Sequence, residues 1–330
     1  MANEATIGYH LFLDWLAGGM ILRHFLIDTD TASDDAVALV MALNYPDVQV
    51  EAITVVAGNV PLKLGVQNAL YTVEQCQSDV PVYAGLAKPL LRPLQTAQFI
   101  HGQDGMGEIG LPLHGRVPAP GHGVDMIIDT IHRFGGDITL VTLGPLTNIA
   151  VALHRDPQIA KLVKRCVVMG GIGLGHGNIV PAAEYNIWVD PEAAKIVFES
   201  GLPITMVGWD VSQKYATFDD EQAEELRSLS SLGEFCVSIQ AYLRRFGVEK
   251  LGLPGFDLPD PIAMAVALDP SVATLTKHLH VAIETQSELT RGATVVDHMG
   301  ITGNEPNADV VLQASRQRFL EILYAAVRSA

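Results

Sequence analysis

Three cysteines, Cys76, Cys166 and Cys236, are spread through 330 residues with no C-x-x-C spacing. That excludes a disulfide framework and a zinc knuckle, and it points to a reducing compartment. Basic residues are scarce: 21 Lys and Arg against 37 Asp and Glu give a formal net charge of −16, with no dense basic stripe. Nucleic acid is not an expected partner, because phosphates are gripped by clustered cations. No uninterrupted run of about 20 apolar residues is present, so no membrane-spanning helix is expected. The stretch Ile7 to Leu22 imitates a targeting segment, but Asp14 interrupts it and its basic residue, Arg23, follows it instead of preceding it, the reverse of a signal peptide. The expectation is a cytoplasmic protein with an N-terminal extension of unknown role over residues 1–20 and one domain over 21–330.

What is present favours a buried sheet. The chain is 48% hydrophobic and 18% charged with many Gly and Pro, unlike a disordered or coiled-coil chain, and long enough for a sizeable core. Strand-like runs recur at Phe25–Ile27, Val50–Val56, Val80–Tyr83, Ile138–Leu143, Cys166–Met169 and Ile204–Val207. Helix-like stretches lie between them at Leu62–Gln75, Val124–Arg133 and Asp190–Glu199, the last opening D-P-E with proline in the first turn. This alternation predicts an α/β fold, a mostly parallel, Rossmann-like open sheet flanked by helices. Two glycine-rich stretches, 101–107 and 170–178, read as mobile loops, and about 220–255 reads as a helical, cap-like elaboration. No internal repeat or low-complexity tract is evident.

The most informative segment is Phe25 to Ala38, FLIDTDTASDDAVA, which puts Asp28, Asp30, Asp34 and Asp35 into one tight turn between a strand and a helix. Four like charges so close repel one another and lose hydration if buried, so a cation or a reaction is expected to use them. An EF-hand loop starting at Asp28 fails, because Ser33 stands where Gly is needed and Leu39 where Glu is needed. A haloacid-dehalogenase-type phosphatase, with Asp28 as nucleophile in Leu26-Ile27-Asp28-Thr29-Asp30-Thr31, stays open as an alternative. It leaves Asp34 and Asp35 unexplained.

The fuller pattern D-T-D-T-A-S-D-D resembles the signature D-x-D-x-x-x-D-D of the inosine–uridine-preferring nucleoside hydrolases. The resemblance runs on, in that family's order, through Ala52-Ile53-Thr54-Val55-Val56-Ala57-Gly58-Asn59, Ile100-His101-Gly102, Leu143-Gly144-Pro145-Leu146-Thr147-Asn148, Val168-Met169-Gly170-Gly171, Glu184-Tyr185-Asn186 and Asp190-Pro191-Glu192-Ala193-Ala194. It implies hydrolysis of the N-glycosidic bond of ribonucleosides to ribose and a free base, and a homodimer or homotetramer. It also implies a calcium ion held by Asp30, Asp35, Asp260 and the backbone carbonyl of Leu143, with Asp30 as general base toward the ion-bound water. Asp34, Asn59, Asn178, Glu184 and Asn186 would bind ribose hydroxyls, Met169 would touch the sugar, and Asp28 would order the turn. Glu184 and Asn186, two apart, would share a face only if extended.

The leaving-group side is less legible. Where many pyrimidine-specific or mixed members carry His-Asp-Pro, this chain has Pro259-Asp260-Pro261, and proline donates no proton. His101 is the substitute donor expected. A catalytically weak nucleoside- or sugar-binding protein is a further alternative on this account. Phe99, Tyr242, Phe246 and Phe256 are candidates for stacking on a base, whereas Trp188 and Trp209 read as packing residues.

Overall fold

The computed structural model describes residues 22–328, so the expected extension over 1–20 lies outside the described residues. An eight-stranded sheet has the order β3-β2-β1-β4-β5-β6-β12-β9, with β1 Arg23–Thr29, β2 Val48–Val55, β3 Val82–Ala84, β4 Ile138–Thr142, β5 Val163–Met169, β6 Ile204–Val207, β9 Ala273–Leu279 and β12 Ala308–Ala314. All pairings are parallel except that of β9 with β12. Alternate residues of β1 feed opposite cores: Phe25 and Ile27 pack on one face of the sheet, Leu26 on the other. That two-sided burial explains why the strands read as continuous apolar runs. The expected strands and helices appear with ends coinciding or displaced by up to three residues, the most at β5, which starts at Val163.

The helices used below are α1 Ser33–Leu43, α2 Leu62–Gln75, α3 Gln98–His101, α4 Gly123–Arg133, α5 Thr147–Arg155, α6 Tyr185–Val189, α7 Pro191–Phe198, α8 Trp209–Tyr215, α9 Asp220–Ser228, α10 Ser231–Ser238, α11 Ala241–Phe246, α12 Pro259–Leu268 and α13 Arg316–Arg328. Strand order reverses at β1, which pairs with β2 on one side and β4 on the other. The crevice beyond the carboxyl ends of such strands is where open α/β sheets bind ligands, and there the chain places Asp28 to Asp35 and Leu143.

Helix α12 is buried on nearly every side and packs against α1, as expected of a helix apolar all round. A short antiparallel ribbon of β7 (Thr217–Asp219) and β8 (Gly255–Asp257) brackets α9, α10, α11 and a π-helical turn over Gly247–Leu251. The first glycine-rich stretch differs from expectation, being tied into the core: Met106 is fully buried and Asn68 donates to the Asp104 carbonyl at 3.0 Å. Its glycines permit this packing, for a Cβ at Gly107, where φ is +77°, would meet the Ile239 carbonyl oxygen at 2.6 Å.

Candidate functional site

Each acid of the turn has its own partners. Asp28, still on β1, accepts from Thr54 Oγ1 at 2.5 Å and from Asn148 Nδ2 at 2.8 Å, and burial pushes its carboxyl up to about 7. Its side chain is fully buried and held by residues of β2 and α5, and neither it nor the equally buried Asp30 is among the residues that line the cavity described below. Asp30 Oδ2 accepts from the Asn59 N–H at 2.5 Å, while Asn59 Nδ2 lies 3.5 Å from both Asp30 Oδ1 and Asp35 Oδ2. A Cβ at Gly58 would fall 2.0 Å from Asp30 Oδ2, and one at Gly144 2.7 Å from Oδ1. These two glycines form the cradle of Asp30, a role their motifs did not reveal.

Asp34 and Asp35 occupy the first turn of α1, where the helix dipole favours negative charge. Asp35 reaches back to the Ala32 N–H at 2.9 Å and accepts from Thr29 Oγ1 at 2.5 Å. Asp260 lies in the first turn of α12, with Pro259 as that helix's first residue, a position that suits proline because its missing N–H would have no helical partner. Packing of α12 on α1 therefore brings two helix N-termini together, and Asp34, Asp35 and Asp260 offer oxygens within 4.8 Å of one another. Asp34 joins the expected Asp35 and Asp260 in this set because it neighbours Asp35 on one helical turn, and the expected Asp30, clasped by glycines and Asn59 beyond the strand end, adjoins Asp35.

Burial, then mutual repulsion, holds the carboxyls of Asp30, Asp34 and Asp260 well above the usual range. Asp35 is raised less freely, since burial is opposed by the Thr29 hydroxyl and the Ala32 N–H. The direct interaction of the two carboxyls raises Asp260 and lowers Asp35. Buried like charges at this spacing are costly without a cation, and the buried Asp34 Oδ1 and Asn186 Oδ1 have no hydrogen-bond partner. Both features, and an all-oxygen donor set, fit a hard divalent ion.

The cavity at the switch point is lined by Asp34, Asn59, His101, Leu143, Met169, Asn178, Glu184, Asn186 and Asp260, together with a more apolar group that includes Ile100, Ile179, Trp209, Leu243, Phe246 and Pro259. Glu184 and Asn186 share it without being extended: Glu184 caps α6, its Oε1 accepting from the Asn186 N–H at 2.9 Å and its Oε2 from the Gly171 N–H at 2.9 Å. Burial pushes Glu184 up to about 7. Asn186 Nδ2 donates to the Leu143 carbonyl at 2.7 Å, and Asn178 Oδ1 accepts from the Tyr185 N–H at 2.9 Å. His101 is buried, 3.0 Å by Nδ1 from the Ser33 hydroxyl and 3.7 Å from Asp34 Oδ1. Burial lowers its pKa to about 4, so at neutral pH the ring is not a charged acid, which argues against the expected donor role.

Of the aromatic candidates, Phe246 reaches the cavity and meets the exposed Phe99 edge-on, Phe256 stacks on Phe218 in the core, and the Tyr242 hydroxyl is bonded to Glu108. Trp209 packs in the core as expected and also lines the cavity, donating from Nε1 to Asp257 Oδ2 at 2.9 Å. Asp257 also lines the cavity and was not singled out in the sequence; the nearest signal was its position two residues before Pro259.

A switch-point crevice that gathers carboxylates, side-chain amides and a backbone carbonyl around one cavity defines an α/β protein with an oxygen-rich, acidic ligand site. A family model described as inosine-uridine preferring nucleoside hydrolase matches residues 25–321. The pyrimidine-specific ribonucleoside hydrolase RihA of Salmonella agona (strain SL483) is 39% identical over 304 residues, covering 90% of this chain and 96% of that relative. A solved plant nucleoside hydrolase, PpNRh1, has a TM-score of 0.87 at 32% identity, over 93% of this chain and 99% of its own. A purine-preferring ribonucleoside hydrolase from Gardnerella vaginalis gives 0.86 at 32% identity, over 93% and 98%. The chain belongs to the inosine–uridine preferring nucleoside hydrolase family. Among the described residues no helix is long and apolar enough to cross a membrane.

Proposed function

We propose that this protein hydrolyses the N-glycosidic bond of ribonucleosides, releasing ribose and a free base. The observation that carries the reading is the convergence of Asp34, Asp35 and Asp260, with Asp30 adjoining Asp35, beside a cavity that Asp34 and Asp260 line together with Asn59, Glu184 and Asn186. Cleavage passes through an oxocarbenium-like ribosyl group, which needs negative charge nearby, a positioned water and hydroxyl contacts that tighten as charge develops. Asp30, held by Gly58, Gly144 and Asn59, takes the proton of the attacking water. Asp34, Asn59, Asn178, Glu184 and Asn186 orient the ribose hydroxyls, and Met169 touches the sugar. The acidic trio, with Asp30 and the Leu143 carbonyl at hand, would hold a divalent cation, for which the oxygen donors favour calcium; when bound, it supplies positive charge that acidifies water and grips hydroxyls.

The test is a kinetic panel of inosine, adenosine, uridine, cytidine and 4-nitrophenyl riboside, scored by reducing sugar with and without a chelator. Turnover that needs a divalent ion but no phosphate, and that is lost in Asp30→Asn, is expected. Wild-type turnover by Asp30→Asn would sink the assigned base, and binding without turnover of any riboside would leave a binding protein. The panel also decides base preference, on which the named relatives differ. Unpaired Cys76, Cys166 and Cys236 fit a reducing, cytoplasmic setting. Sedimentation would check the homodimer or homotetramer implied by the family resemblance.

A further inference from the structure

Resting on the nucleoside hydrolase reading, we infer that Asp257 is the acid that protonates the departing nucleobase, through its Oδ1. Pro259 cannot serve, and His101 is uncharged at neutral pH. The other carboxyl groups on the cavity wall are committed: Asp34 and Asp260 to the acidic cluster, Glu184 to the N–H groups of Gly171 and Asn186. Tyr185 donates to the Gln95 carbonyl at 2.7 Å.

Asp257 is 4% exposed, and both of its neighbours in hydrogen bonding, Trp209 Nε1–H at 2.9 Å and the Ser212 hydroxyl at 3.1 Å, donate to the same oxygen, Oδ2. Among the described residues no other side chain donates to Oδ1. In its acid form a carboxyl held this way carries its proton on the oxygen free of side-chain donors, so the neutral form has an O–H to offer. Its place in the chain fits a nucleobase more than ribose. Asp257 ends β8, against which α11 packs, and α11 contributes Leu243 and Phe246 to the cavity wall, as α8 contributes Trp209.

Burial holds the Asp257 carboxyl above its ordinary range, against the opposing Ser212 and Trp209 bonds. The charge of Asp257 acts in turn on Asp34 and raises it, so the two carboxyls disfavour being ionised together. The charged groups of the adjoining elements are engaged elsewhere: Asp210 with the N–H groups of Gly173 and Leu174, Lys214 over the Tyr215 ring, Asp219 in capping α9, and on α11 Arg244 with Asp220 and Arg245 over the Tyr242 ring. As the C1′–N bond breaks, its electron pair leaves with the base, whose nitrogen takes the Oδ1 proton. Water adds its oxygen to C1′ and yields a proton to Asp30. Exchange with solvent restores both carboxyls, so nucleoside and water become ribose and base.

The experiment compares Asp257→Asn with wild type on the best nucleoside of the panel and on 4-nitrophenyl riboside, whose phenolate leaves without protonation. Nucleoside kcat/KM should fall by about 10²- to 10⁴-fold, the usual worth of a general acid, while aryl riboside turnover is kept. No loss on nucleosides, or equal loss on both substrates by a folded variant, overturns the assignment. Should Asp257→Asn fail to fold, Ser212→Ala decides: removing a donor to Oδ2 raises the Asp257 pKa and moves the alkaline limb of the nucleoside profile upward, and an unmoved limb overturns the assignment. A wild-type protein that cleaves neither substrate refutes the underlying hydrolase reading, and this assignment with it.

Discussion

Asp260→Asn is expected to stabilise the metal-free protein while abolishing its stabilisation by calcium. Oxygens of Asp34, Asp35 and Asp260 lie within 4.8 Å of one another, so each ionised pair repels by about 3–4 kcal/mol at an effective dielectric constant of about 20. Proton sharing already relieves much of this, since the Asp260 carboxyl is held well above its ordinary range by burial and by the charges of Asp35, Asp34 and Asp30. Neutralising the side chain permanently should therefore return about 1–3 kcal/mol of that repulsion. The asparagine amide can donate to the neighbouring Asp35 carboxylate, whose oxygens lie within reach of residue 260. At about 2 °C per kcal/mol, the low end for smaller domains, Tm in chelator should rise by roughly 2–6 °C. Adding calcium at about 100 times its Kd stabilises the wild type by about 2.7 kcal/mol and the variant by far less, so their order reverses. The assay is thermal unfolding followed by circular dichroism, first in chelator and then along a calcium titration. A variant that is less stable than wild type in chelator, or that gains equally from calcium, refutes the electrostatic account of the cluster.

Gly58→Ala should lower kcat by about 10²-fold, the cost of misplacing a catalytic group by about 1 Å, because the new Cβ would fall 2.0 Å from Asp30 Oδ2; steady-state kinetics with intact circular dichroism checks this, and unchanged kcat would remove the cradle from the mechanism. Glu184 has its carboxyl raised from 4.5 to about 7 by burial, so the folded state binds more protons than the unfolded one and stability falls as pH rises through that window. By the linkage relation this costs up to about 3 kcal/mol. Glu184→Gln should flatten that slope in urea unfolding of the chelated protein, and an unaltered slope would exclude Glu184 as its source. Burial pushes the Cys76 and Cys166 thiols up to about 12 and raises Cys236 as well. A thiol-specific chromogenic reagent at pH 8 should therefore react slowly with native protein and at once with three thiols after denaturation; a fast native reaction would contradict the burial of these groups.

Much of the architecture was legible because strands buried on both faces write themselves as apolar runs, and helices between them as periodic ones. Phe25 to Val56 is an example: strand, acidic turn, helix and strand follow in the order the pattern predicts. Boundaries shifted by up to three residues, since strand ends are fixed by pairing partners such as Thr29 with Val55, which lie far off in sequence. The site was legible in its residue types and less so in its grouping. Asp34 joins Asp35 and Asp260 because a helix turn and a helix–helix contact bring them together, and no linear spacing encodes that contact. Likewise, Glu184 and Asn186 meet one cavity through a cap, a geometry that alternation along a strand does not anticipate.

The sequence by itself determined the class of fold, the presence of an acidic turn at the end of the first strand, and the loss of a histidine at Pro259. These are local properties, set by hydrophobic period, by like charges crowded in one segment, and by what one side chain can or cannot donate. Only the tertiary structure decided which acids converge, which are sealed away as Asp28 is, and that Trp209 and Asp257 face the substrate cavity. Those outcomes depend on packing between α1 and α12 and between β8 and α11, pairs separated by up to some two hundred residues of chain, where burial and proximity, absent from any short window of sequence, set the charge and reach of each group.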